Sequence, residues 1–340
     1  MTDSLVLVAN AGDSSISTFR FADGSLERIA VTEGVAGCSN FAVDTARDLV
    51  YAAVDADEAN PSPGIVTLAF DRSSGVLTPR TRRALPGRIT YVALAYGGSV
   101  LLAVSYGGGF GVSLTITDGV VSEPVSRIEH RNLHSVLPSG DDAFAYFVSL
   151  GDDLVAQCAL AADATLTPLG PPTVAAPEGS GPRHLAFSAA QDAVYVVTEF
   201  SGEVLHYARD TTSGQLQLRD AASAFDPTAG LKHSRFGADP AAEHLIWGAD
   251  VHLGDGVLWA SERTASTLAP LAVAGDGSVA DATRFYPTEP QPRGFDVHES
   301  WLIAAGERSE TISLYAIDGD RLELRQQIET GRGANWVRFI

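Results

Sequence analysis

Arg183, His184 and Glu199 fall within one short stretch, GSGPRHLAFSAAQDAVYVVTEFSG at 179–202. They carry a guanidinium, an imidazole and a carboxylate. Such a set can activate a water and stabilise developing negative charge, provided the three groups meet. The spacing says how they could. The stretch and its continuation to Tyr207 hold three apolar runs, rich in β-branched and aromatic residues and separated by Gly, Ser, Asp and Pro. That pattern predicts three antiparallel strands in a meander. A chain that runs down one strand and up the next returns to its starting face. Arg183 and His184 open the first strand and Glu199 ends the second, so all three belong to one rim.

The same plan recurs along the chain. An apolar strand appears as LVLVA at 5–9, LVYAA at 49–53, VLLAV at 100–104, FAYFV at 144–148, VYVVT at 194–198, VLWAS at 257–261 and WLIAA at 301–305. Each copy is followed by a second strand and by a turn into a third, such as DGSLERI, DGVVSEP or, in the sixth copy, DGSVADA. Six copies are preceded by a further strand, at 39–44, 89–95, 133–139, 182–188, 248–253 and 292–298. The first copy has none upstream, and NWVRFI at 335–340 is left over. Seven four-strand units of roughly 44 to 63 residues predict an all-β, seven-bladed β-propeller over 1–340, a single domain. The C-terminal strand is expected to join the first blade, which removes the open ends of the ring. No helix is expected, because the Ala-rich stretch at 221–224 is too short to stand alone. The irregular segment Pro227–His244 lengthens the sixth unit and is expected to cap one mouth of the channel.

Transferring the rim rule to every unit gathers the chemistry-bearing residues. First-strand starts supply His134, Arg183, His184, Asp250, His252 and Arg293, and second-strand ends supply Tyr106, Glu199 and Arg263. Glu199 or His134 could serve as general base, with Arg183 and Arg263 stabilising an oxyanion or binding an anionic group. Two arginines beside Glu199 should keep it ionised, and the same cations should hold His134 neutral, as a base requires. Structural alternatives exist for several of them. Arg183 and Glu199 can form a plain inter-strand ion pair. Neighbours in a strand face opposite ways, so His184 can be a core histidine if Arg183 faces the channel. His252 can pair with Asp250. Tyr106 can be a wedge between blades. Gly107–Gly109 reads as a tight turn, since no helix follows to make a phosphate site.

Composition narrows the partners. The 340 residues carry 23 Lys and Arg against 42 Asp and Glu, a formal net charge of −19. That balance opposes nucleic-acid binding, whose affinity comes from cations at phosphates. An anionic small molecule would need a local cationic pocket. Cys38 and Cys158 are far apart and outside any CxxC spacing, consistent with two reduced thiols in a cytoplasmic protein. The N-terminal MTDSLVLVANAG has no basic n-region or sustained apolar run of the signal-peptide kind. No run reaches the ~18 apolar residues of a membrane span. No GxSxG elbow, HExxH or Cys/His cluster points to a serine hydrolase or to zinc.

SYGGG at 105–109, LHSV at 133–136, GSGPRHLAF at 179–187, TEFSG at 198–202, GADVHL with WASERTAS at 248–266 and QPRGFDVHESWLIAAGERSETISLY at 291–315 together resemble the lactonase/cycloisomerase-2 family of seven-bladed propellers. PTEPQPRGF and ERTAS resemble its phosphogluconolactonase branch. The sister branch of carboxymuconate cyclases shares a His, Arg, Glu, Arg constellation, which falls on His134, Arg183, Glu199 and Arg263. The resemblance implies a metal-free, cofactor-free site at one end of the channel. The implied reaction is hydrolysis of a sugar-acid lactone, 6-phosphogluconolactone foremost, with cycloisomerisation of a carboxymuconate or hydrolysis of another lactone as alternatives. The four constellation residues would then be catalytic, with Tyr106, His184, His252 and Arg293 binding substrate. Two features depart from the family: Ser149-Leu150-Gly151 stands where Asp-Leu-Gly is usual, and the insertion around Lys232–Arg235 has no match.

Overall fold

A computed structural model describes residues 4–340. Among these residues the strands form seven four-stranded antiparallel sheets. Each of sheets two to seven is built from four consecutive strands, as in the fourth blade, Leu133–Pro138, Phe144–Ser149, Leu154–Leu160 and Leu166–Ala175. The sheets are the blades of a propeller, with the first strand of each unit innermost. The second strands are buried along their whole length, for example Leu49–Val54, Phe144–Ser149 and Ala193–Thr198. A blade has neighbours on both faces, so its central strands read as continuous apolar runs and not as alternation. The outer strands, such as Val120–Glu129 and Arg321–Glu329, are largely exposed and charged.

The ring closes as the repeat pattern requires. Ala334–Phe339 pairs antiparallel with Ser4–Asn10 and completes the first blade. The same strand carries Trp336, which is buried and donates its indole N–H to the Phe41 carbonyl of the second blade at 3.1 Å. The closing strand is therefore also a contact between neighbouring blades.

Three expectations need correction. The sixth blade's outer strand is not DGSVADA at 276–282 but the two-residue Tyr286–Pro287, paired with Thr267 and Leu268. Asp281 is drawn aside because its carboxylate accepts from the Ser223 N–H of the fifth blade at 2.7 Å. Helical turns do occur, at Tyr96–Gly98, Pro227–Ala229 and Pro240–Glu243. Asp226 and Asp239 cap the last two by accepting from N–H groups of the first turn. Finally, the 227–244 segment does not cap the channel. Its residues 233–236 line a separate cavity of about 300 Å³ with Asn132, Leu150 and Phe200, tied down by the Ser234 N–H on the Phe200 carbonyl. Cys38 and Cys158 are both buried free thiols. No helix among the described residues is long and apolar enough to cross a membrane.

Closure gives a direct test. Trp336→Ala removes a buried aromatic and its hydrogen bond at the seam, so it should cost about 3–5 kcal/mol and lower the melting temperature by several degrees. An unchanged thermal transition would mean that the seam does not limit stability.

Candidate active site

The inner strands of blades four, five and seven each bend at one candidate residue. The ladder between inner and second strand is interrupted between Leu133 and Ser135, between Pro182 and His184, and between Pro292 and Gly294. The residues inside these bulges are His134, Arg183 and Arg293. A bulge leaves one residue unpaired and re-aims its side chain. Here it turns the three side chains into the channel.

The other half of the site comes from the turns after the second strands. Glu199 follows Thr198, and its N–H donates to the Gly181 carbonyl at 2.7 Å. Gly181 has φ +65°, and a Cβ there would stand 2.6 Å from the Phe200 ring, so only glycine fits this turn. Arg263 follows Glu262, whose buried carboxylate accepts from the N–H groups of Trp247, Thr264 and Ala265 and so shapes that turn.

These residues line one cavity of about 360 Å³ together with Tyr106, Gly107, Ser39, Arg88, Thr90 and Trp247. Its centre is a shared carboxylate. Arg183 Nε donates to Glu199 Oε2 at 2.9 Å and Arg263 Nη2 to the same oxygen at 2.8 Å. Both guanidinium groups are buried, at 1% and 3% exposure. Arg183 Nη1 also meets the Ala249 carbonyl, and Arg263 donates to the Gly248 carbonyl at 3.2 Å while lying 3.9 Å over the Trp247 ring. Arg293 is held by Glu307 at 2.7 Å and Arg88 by Asp55 at 2.7 Å. Four guanidinium groups and one carboxylate thus line the cavity, with Glu307 and Asp55 pairing two of the four, a net positive spot on an acidic protein.

The electrostatics follow from burial and neighbours. Burial alone would raise the Glu199 carboxyl, but Arg263 and Arg183 overcome it and hold it below its ordinary value. The His134 imidazole is pushed well below its ordinary value, first by burial and then by Arg183 and His184. It is therefore a neutral base, resting edge-on against Tyr106 at 5.6 Å. Tyr106 is half-buried and its phenol is pushed up by burial and by Glu199.

Two expected substrate contacts stand elsewhere. His184 does not line the main cavity. It lies in a small recess beneath it, with Nδ1 2.7 Å from Asp250 Oδ1 and Nε2 3.3 Å from Arg183 Nη1. The rule that strand neighbours face opposite ways fails here because of the bulge, which leaves Arg183 and His184 in contact. His252 is also absent from the lining, and its ring lies between Asp250 at 3.3 Å and Asp296 at 3.6 Å. The sequence reading missed Ser39, Arg88, Thr90 and Trp247. Ser39, Arg88 and Thr90 stand just ahead of the inner strands of blades two and three. Extending the rim rule to those two units would have found them. Ser149, at the family departure, accepts from Asp152 N–H and donates to the Arg131 carbonyl, outside the main cavity.

The chain matches a known family in sequence and in fold. Residues 6–339 match the family model described as Lactonase, 7-bladed beta-propeller. The chain belongs to that family. It is 30% identical over 98% of its length to the 6-phosphogluconolactonase of Enterobacter sp. strain 638, of which 97% is covered. The 6-phosphogluconolactonase of Klebsiella pneumoniae strain MGH 78578 is 29% identical, over 93% of this chain and 92% of its own. In fold, the chain superposes on the periplasmic gluconolactonase of Pseudomonas aeruginosa with a TM-score of 0.87 at 22% identity, covering 100% of this chain and 99% of that one. Family membership makes the chain a lactone-hydrolysing enzyme.

The buried charges make stability depend on pH. His134 and His184 have folded values below the ordinary 6.5, so between those values and 6.5 the unfolded chain holds more protons. Stability then falls as pH falls. Glu199 acts with the same sign lower down, because its depressed carboxyl contributes stability that is lost as pH drops below 4.5 through its folded value. The melting temperature should therefore decline from pH 6.5 downward, and more steeply below 4.5. His134→Gln should flatten the upper part of this decline. An identical slope in the variant would show that His134 does not titrate as its surroundings dictate.

Proposed function

We propose that the cavity hydrolyses a sugar-acid lactone, with 6-phosphogluconolactone the first substrate to test, and that it does so in the cytoplasm. The observation that carries this reading is the juxtaposition of a neutral imidazole, His134, with two guanidinium groups anchored on one carboxylate oxygen. Attack of water on a lactone carbonyl needs a base for the proton and a positive group for the oxyanion. His134 is the better base. Glu199 is held ionised by two arginines and its Oε2 is occupied by them, so it is a weak proton acceptor.

In this reading His134 takes a proton from water as the oxygen attacks the lactone carbonyl carbon. Arg183 and Arg263 stabilise the tetrahedral oxyanion. Collapse breaks the bond to the ring oxygen, and the proton on His134 passes to that leaving oxygen. The products are the freed hydroxyl and the carboxylic acid, which releases the remaining proton of the water to solvent and leaves as the carboxylate, and His134 is neutral again. Glu199 acts as the anchor that keeps two buried cations from repelling each other. Arg293 and Arg88, which also line the cavity, suit the anionic substituent of a phosphosugar. The names of the Enterobacter and Klebsiella relatives support the same substrate.

The test is a purified-enzyme assay with 6-phosphogluconolactone, gluconolactone and a carboxymuconate. The phosphorylated lactone should be consumed well above its spontaneous rate. His134→Ala should lower kcat by about 10²–10⁴ and Arg263→Ala by about 10²–10³. Arg293→Ala should act mainly on KM, and only for the phosphorylated lactone. Decay of phosphogluconolactone at its spontaneous rate would remove this reading, and turnover of the muconate alone would replace it with a cycloisomerase.

A further inference from the structure

We propose that Asp250 is a positioning residue for this site, acting through His184 to hold the Arg183 guanidinium in its working orientation. The proposal rests on the lactonase reading of the same cavity and adds residues that never touch the substrate. Its basis is a chain of three buried groups across the fifth and sixth blades. Asp250, His184 and Arg183 are 2%, 5% and 1% exposed. Asp250 Oδ1 lies 2.7 Å from His184 Nδ1, and His184 Nε2 lies 3.3 Å from Arg183 Nη1.

Donor and acceptor roles fix this chain in one direction. An ionised carboxylate only accepts, so His184 Nδ1 must carry the proton. A guanidinium only donates, so His184 Nε2 must offer its lone pair. Both ends therefore demand the same neutral tautomer. The other tautomer, or the imidazolium, would set an N–H against the N–H of Arg183. Asp250 is equipped to enforce the choice. It is ionised, and it accepts further from Val251 N–H at 3.0 Å and Phe295 N–H at 3.4 Å, with His252 Nε2 at 3.3 Å. Aromatic rings pack edge-on around His184, with Tyr91 at 5.3 Å, Trp336 at 5.9 Å and His134 at 5.0 Å, so the imidazole cannot swing away.

The consequence falls on Arg183. Its Nε is committed to Glu199 and its Nη1 to the Ala249 carbonyl and His184. The hydrogens of Nη2 have no acceptor among the described residues, and Arg183 lines the cavity. The three fixed contacts thus aim one pair of N–H groups at the substrate. An oxyanion donor must be oriented before the reaction to be of full value. Loss of the His184 contact frees the guanidinium to rotate about its remaining partners.

Two measurements test this. In the first, long-range ¹H–¹⁵N spectra of the wild-type protein at neutral pH should show His184 as the Nδ1–H tautomer, and the Nε2–H tautomer would overturn the proposal. This readout is independent of turnover, so it stands even if the lactonase reading fails. The second is a double-mutant cycle on kcat with 6-phosphogluconolactone. Asp250→Asn and His184→Leu should each lower kcat by about 10–10², with KM changed less than about threefold. The double variant should be no slower than the worse single variant, because the two act as one unit. His184→Gln, whose amide can donate to Asp250 and accept from Arg183, should recover most of the loss. Additive losses, a Gln variant as slow as the Leu variant, or wild-type kcat in Asp250→Asn would each overturn the proposal. Thermal melts of every variant separate misfolding from mispositioning, and the tautomer measurement decides the matter if Asp250→Asn does not fold.

Discussion

Two guanidinium groups share one carboxylate oxygen at the hub of this protein, and both are almost completely removed from water. Desolvating a charge costs several kcal/mol unless partners replace the lost water. Glu199 supplies the opposite charge, and the Ala249, Gly248 and Trp247 carbonyls supply acceptors for the remaining N–H groups. These partners come from two places in the chain, Glu199 and the stretch 247–249. They meet only because neighbouring blades present their inner-strand starts and second-strand ends to one channel. The seven-fold closure is thus what allows so concentrated a cationic site to exist on a chain of net charge −19.

The same arrangement divides labour among like residues. Arg183 and Arg263 are buried and anchored, suited to charge that develops at a fixed point. Arg293 and Arg88 are more exposed and each pairs with a peripheral carboxylate, suited to a substrate group that arrives already charged. Three histidines near the hub differ in the same way. His134 has ring contacts, and its buried Nδ1 has no hydrogen-bond partner among the described residues. His184 and His252 are spoken for by Asp250. Identical side chains take different roles because their hydrogen-bond partners differ.

Much of this was legible in the residues. Seven apolar runs with their flanking turns define seven sheets, because central blade strands are covered on both faces. The unpaired NWVRFI at the C-terminus pointed to closure for a simple reason: one unit lacked an inner strand. The rim rule brought His134, Arg183, Glu199, Arg263, Arg293 and Tyr106 to one cavity, since strand direction alone decides which ends share a face. It failed where local backbone departs from regular pleating. A bulge at Arg183 put His184 beside it. An Asp281 hydrogen bond displaced the outer strand of blade six. The segment at 227–244 settled over blades four and five and not over the channel.

The sequence by itself determined the architecture, the closure and the roster of charged residues at the hub, because hydrophobic period and strand polarity are properties of residue order. Folding in three dimensions alone decided which of those residues face the cavity and which stand behind them. Whether a histidine is a base or a strut depends on groups tens of residues away, such as Asp250 against His184. Those contacts are set by bulges and by the approach of separate blades, and a linear pattern carries no record of either.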